Sequence, residues 1–234
     1  MTDAWTVARK ELGELFGERL SRRGAMVQAV ILTIGLGVLV PHEAAVLWLV
    51  GSPEAIILFL LLPAIVAGGI GADAFAGERE RRTLDTLLAT PLSDAAVVAG
   101  KAIAAISVAL AVAAGSLVIG AVTVNVTAHP AALFVPSPAL WAGGLLGALA
   151  CSCVSTAVAI ALSLRTPVAR SVQQMVSLMF VLPALVGGML ARYLGFELTW
   201  PHVFEVEAVA ILAGLAGLAV AAARFHRDRL FENR

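Results

Sequence analysis

Hydrophobic residues in this chain come in long blocks rather than in stripes. Six runs, residues 24–40, 55–77, 102–126, 139–164, 172–194 and 206–223, are almost free of charge. A helix rises about 1.5 Å per residue, so about 20 residues cross a hydrocarbon core about 30 Å thick. The first and last runs are slightly short, and flanking residues complete them. A soluble domain keeps about a quarter of its residues charged. Here only 14% are charged and 60% are hydrophobic. The blocks predict one all-α integral membrane domain over residues 1–234, with six transmembrane helices and no soluble domain attached.

Lysines and arginines set the expected orientation, since they collect on the cytoplasmic side. With the N-terminus inside, fifteen of the sixteen fall in cytoplasmic segments and only Arg192 falls outside. The outer segments hold Glu43, Glu54, Glu197, Glu205 and Glu207, and Trp48, Trp141, Tyr193 and Trp200 mark the outer membrane boundary. The expectation is an inner-membrane, multi-pass protein with both termini cytoplasmic, including a tail at 224–234. A net charge of zero conceals this asymmetry and does not point to nucleic acid. The first run starts late, follows an amphipathic segment and lacks a small-x-small site, so it is not expected to be a cleaved signal peptide.

Ahead of it, within residues 1–23, Trp5, Ala8, Leu12, Leu15 and Phe16 recur at helical spacing opposite Arg9, Lys10, Glu14 and Glu18. That pattern predicts an amphipathic helix in the inner interface, or else one packed on a partner. Gly143-x-x-x-Gly147 and the pairs at Gly68, Gly69, Gly187 and Gly188 allow close helix packing. Pro63 and Pro183 are expected to kink their spans. Residues 195–205 read either as a re-entrant piece or as a plain loop. Cys151 and Cys153, two residues apart on one helix, face different ways and are expected to pack rather than pair. Asn125-Val126-Thr127 fits a glycosylation pattern but abuts the membrane.

Chemistry inside the membrane is sparse. Asp73, Arg192 and Glu207 are the charged residues that fall within the apolar runs, and all three sit near span ends. Gln28, Ser152, Ser155, Thr156, Gln173 and Gln174 are the mildly polar positions that either bond helix to helix or line a weakly polar pathway between subunits. Catalytic and P-loop motifs are missing, as is any pair of mid-membrane aspartates. The outer histidines, His42, His129 and His202, could ligate haem or a metal, but no pattern of supporting residues around them backs that role, so no metal and no cofactor are expected in this chain. Work done by such a protein must be driven by a partner.

Residues 78–101, ERERRTLDTLLATPLSDAAVVAGK, form the long polar interruption. The second span runs on through Asp73, Phe75 and Gly77 into Glu78, where Glu78 and Arg82 are spaced for an i, i+4 ion pair. Leu84, Leu87 and Leu88 make a short apolar stripe beside Arg81 and Asp85. Thr90-Pro91 ends that helix, because a residue before proline is pushed out of the helical region. Ser93 caps the next helix and Asp94 opens it at the positive dipole end. An apolar knob ringed by charge suits docking into a groove on a cytoplasmic protein.

The run from Phe75 to Ser93, followed by Gly100-Lys101, resembles the loop between the second and third membrane helices of ABC type-2 export permeases. Glu78 and Glu80 match that family's acidic pair, and Thr83, Leu84 and Asp85 match the next three positions. Leu87 and Leu88 match its leucines, and Thr90-Pro91 its turn. The family commonly has glycine before the threonine, where this chain has Arg82. The resemblance implies a dimeric permease, with an identical or paralogous second subunit, in contact with membrane lipids. It also implies a separate cytoplasmic P-loop ATPase holding ATP and magnesium. The segment is then a cytoplasmic coupling helix between helices 2 and 3, with Glu78, Glu80, Arg81, Arg82, Thr83, Leu84, Leu87, Leu88, Thr90 and Pro91 coupling the ATPase to export. A haem-exporter-type permease for cytochrome maturation shares this size and loop, and His129 or His202 would then carry meaning. A non-transporting scaffold that recruits a cytoplasmic partner is the alternative from another class.

Overall fold

A computed structural model of the chain describes residues 2–16, 20–83, 92–166, 168–195 and 197–225. It is helical, with no strand among the described residues. Helix α1 covers Thr2–Phe16, α2 Leu20–Glu43 and the short α3 Ala45–Leu49. A 3₁₀ turn at Pro53–Ile56 leads into α4, Leu61–Ala72, which continues through a π-helical turn, Asp73–Gly77, into α5, Glu78–Glu80. Next come α6 (Asp94–Thr127), α7 (Pro138–Ser163), α8 (Ala169–Tyr193) and α9 (Trp200–Arg224).

Five stretches of the described chain are long and apolar enough to cross a membrane: Pro53–Glu80, α6, α7, α8 through Leu190, and α9. Each overlaps one of the predicted runs. The remaining run, 24–40, lies within the 24-residue α2. Local signals set the ends. Ser93 and Ser137 accept hydrogen bonds from Ala96 N and Leu140 N and so cap α6 and α7. Pro138 and Pro201 occupy first turns, where the missing N–H costs nothing. Residues 195–205 are not all loop, because α9 already begins at Trp200. Pro63 likewise stands in the first turn of α4, and the irregular backbone lies ahead of it in residues 53–60.

The middle of the bundle is α4, α6 and α7 packed on one another. Helices α1 and α2 lie against α6, α8 against α4, and α9 chiefly against α7. Glycine sets several of these approaches. Gly68 and Gly69 of α4 meet Val176 and Gln173 of α8, and Gly214 of α9 meets Cys153 of α7. Both cysteines are free thiols. Much of α8 faces outward: 11% of its most apolar window is buried, against 61% for the window within Pro53–Glu80. An outward apolar face of that size fits lipid or another subunit rather than water.

At 34 residues, α6 is about 50 Å long at about 1.5 Å per residue, well beyond a core about 30 Å thick. Its opening turns, residues 94–101, precede the apolar run 102–126.

Candidate functional site

Four consecutive charged residues, Glu78 to Arg81, leave the bundle at the basic end, and each reaches a different partner. Glu78 Oε1 accepts from the ammonium of Lys101, 2.8 Å away on α6. The same ammonium donates to Glu11 Oε1 of α1, also at 2.8 Å. The Lys101 side chain is 3% exposed, and those of Glu11 and Glu78 are 13% and 11% exposed. One buried cation thus joins α1, α5 and α6. It also lies 5.6 Å from the ring centre of Phe75, which packs on Phe225 just beyond α9. Two carboxylates share one ammonium, and Glu78 Oε2 is buried without a hydrogen-bond partner.

Arg79 donates to the carbonyl oxygens of Leu164 and Thr166, at 3.4 and 3.5 Å, in the turn that follows α7. Glu80 Oε1 accepts from the backbone N–H of Ala169 at 2.9 Å, at the first residue of α8. Arg81 forks onto both oxygens of Asp73, at 3.0 and 2.9 Å. The π turn between them holds Asp73 against Gly77, and a β-carbon there would collide with the carboxylate. A π turn adds one residue to a helix and rotates the residues beyond it. Here it precedes the residues that fan out to α6, α7 and α8.

The expected Glu78–Arg82 pair does not form. The helix stops at Glu80, and Arg82 takes φ +56°, so the i, i+4 geometry is lost and Glu78 turns to Lys101. Positive φ is the conformation for which glycine is suited, so Arg82 makes here the bend that a glycine would make. Thr83 comes next, with its N–H on Glu78 O at 2.9 Å. Leu84, Leu87, Leu88, Thr90 and Pro91 lie outside the described residues.

On α1 the face that packs on the bundle includes Ala8 of the expected apolar face but not Trp5. Val7 and Ala8 are buried against α6, whereas Trp5 is 60% exposed. Glu11 comes after Val7 and Ala8 at helical spacing, and the 7–8–11 periodicity is the signal that would have found it.

Among the positions considered for a pathway, Ser152, Ser155 and Thr156 are fully buried inside the chain. Ser152 and Ser155 donate to backbone carbonyls of their own helix, at Leu149 and Ser152. Gln173 is half-buried against Gly69, and Gln174 is exposed. The side chain of Gln28 lies outside the described residues. Asn125 bonds the backbone N–H and oxygen of Phe134, which ties down the loop before α7.

The fold is thus that of a multi-pass helical membrane protein whose polar chemistry gathers where the second long apolar helix emerges. The model of the family described as ABC-2 family transporter protein matches residues 5–202, and the chain belongs to that family. It is accordingly a membrane-spanning permease component of an ABC transporter, one of a family of non-catalytic transmembrane components. No curated protein matches the chain.

Proposed function

We propose that this chain is the permease of an ATP-driven exporter, and that segment 78–101 converts movement of the ATPase into movement of the bundle. The observation that supports this reading is the node formed by Glu78, Arg79 and Glu80. These residues tie the base of the segment to α6, to the end of α7 and to the start of α8. Force applied at Leu84, Leu87, Leu88, Thr90 and Pro91 would reach three long helices through these contacts. Glu78, Glu80, Arg81, Arg82 and Thr83 would then transmit the motion, and the leucines beyond would touch the ATPase.

In this reading α2 is the sixth membrane span, α1 lies in the inner interface, and both termini are in the cytoplasm of a cell whose inner membrane holds the protein. Two permease subunits, identical or paralogous, carry two ATPase copies with ATP and magnesium. Cargo leaves between the subunits. Gln28, Gln173 and Gln174 would line the inner part of that pathway, and Ser152, Ser155 and Thr156 would join it only if α4 and α7 separate.

The test is affinity purification from native membranes in mild detergent, with mass identification of partners and an ATPase assay. A stoichiometric P-loop ATPase, lost when Leu84, Leu87 and Leu88 are all changed to Asp, is the expected result. Leu87→Asp with Leu88→Asp should leave the protein folded and uncouple export from hydrolysis. Unchanged export in that double variant would overturn the assignment. ATPase binding without any substrate movement into vesicles would favour the scaffold alternative.

A further inference from the structure

Glu207 is a carboxyl with no counter-charge among the described residues, buried between two helices of the bundle. It lies two turns into α9, is 5% exposed, and neither of its oxygens has a hydrogen-bond partner. It faces the glycine stripe of α7: a β-carbon on Gly147 would come within 2.6 Å of Glu207 Oε1 and 2.7 Å of the Leu60 side chain. Gly147 therefore provides a slot into which the acid fits, with apolar carbon on the other side. No described Lys, Arg or His forms an ion pair with it, and no group of three metal-ligating side chains exists among the described residues. An ionised acid in that setting is costly, and either a proton or a cation relieves the cost.

Its neighbours on the same face of α9 are aromatic. Trp200, Phe204 and Glu207 stand at i, i+4 and i+7 on α9, so they share one face of the helix. The rings of Trp200 and Phe204 stack at 5.8 Å. Trp200 rests on Gly143, one turn before Gly147, and its indole N–H donates to Gly51 O at 2.9 Å, which holds the ring in place. The Gly143-x-x-x-Gly147 motif thus seats an aromatic ring and a carboxyl, one turn apart. Aromatic faces beside an anionic group are the combination that recognises organic cations, where the ring attracts the charge and covers the hydrocarbon.

We propose that Glu207, Trp200 and Phe204 form a recognition site for an amphipathic organic cation, an ammonium- or phosphonium-bearing molecule whose charge meets the carboxylate as α7 and α9 part. Naming this cargo class rests on the permease reading above, but binding at the site requires no ATPase.

The test is equilibrium dialysis of tetraphenylphosphonium against the full-length protein in nanodiscs. Wild type should bind saturably. Glu207→Gln keeps the shape in the Gly147 slot and should weaken binding by about tenfold or more, as loss of a desolvated charge partner requires. Glu207→Asp keeps the charge and should remain within a few-fold of wild type, and Trp200→Leu should weaken binding several-fold. Size-exclusion elution of each variant verifies the fold. Absence of saturable binding, or equal binding by wild type and Glu207→Gln, overturns the proposal. Modification of Glu207 by dicyclohexylcarbodiimide in a protein that binds no tetraphenylphosphonium would show that a proton alone occupies the carboxyl, and would overturn it equally. Any of these failures leaves ATPase capture, and with it the permease reading, untouched. Failure to capture an ATPase would remove the permease reading and leave the binding result standing.

Discussion

Gly100 lies against Val7 so closely that a β-carbon on the glycine would sit 2.5 Å from Val7 Cβ and 2.7 Å from the carbonyl oxygen of Ala4. Helix α1 is therefore seated on α6 at a position where only a hydrogen fits. The next residue, Lys101, fastens the two helices through Glu11. Adjacent positions thus supply the space and the charge for one joint.

Gly100→Val should lift α1 from α6. Trypsin cleavage after the exposed Arg9 and Lys10 should accelerate about tenfold as local opening becomes easier. Gly187→Val is the control, since nothing lies within 4 Å of a β-carbon there. Equal cleavage of the two variants would show that α1 does not depend on this contact.

Lys101→Met leaves Glu11 and Glu78 buried without their cation. Removing one member of a buried ionic group costs about 3–5 kcal/mol, which should appear as a large drop in the detergent unfolding midpoint. Adding Glu11→Gln and Glu78→Gln should recover most of the loss, because no uncompensated charge remains. If Lys101→Met alone is neutral, water reaches the cluster and its burial is not what holds it together.

The Asp73–Arg81 pair should behave differently, since these side chains are 40% and 34% exposed. Asp73→Asn should shift stability by no more than ~1 kcal/mol, as for exposed ion pairs. The shift should shrink in high salt. A salt-independent loss as large as that of Lys101→Met would place the pair in a drier setting than its exposure implies.

Arg82→Gly should raise the unfolding midpoint. The left-handed conformation costs a non-glycine residue about 1–2 kcal/mol, and glycine returns about 0.5–1 kcal/mol of that in chain entropy. A gain of up to ~1.5 kcal/mol remains. A lowered midpoint would mean that the Arg82 side chain makes a contact worth more than the backbone strain.

Span positions were legible because they depend on local quantities. The length of an apolar block, a serine followed by an acid or a proline, and a proline in a first turn act within a few residues of themselves. Ser93 and Asp94 open α6 as their types require. The glycine motif on α7 was legible as a close-packing surface, but its contacts were not. Helical spacing marks a face and says nothing about which neighbour will bring Trp200 and Glu207 to it.

By itself, the sequence determined that the chain is a bundle of long apolar helices, that its polar segment comes after the second long apolar run of the bundle, and which family it joins. The tertiary structure alone decided what the charges do. Glu78 has a spacing-compatible partner in Arg82 four residues on, yet it pairs with Lys101 twenty-three residues away. The reason is physical: a local i, i+4 pair is worth only tenths of a kcal/mol, whereas an acid carried into a buried joint must be matched there or not fold. Glu11 is an ordinary acid on an amphipathic helix until α6 brings an ammonium to it. Glu207 is an ordinary span-end carboxyl until Gly147 gives it a slot.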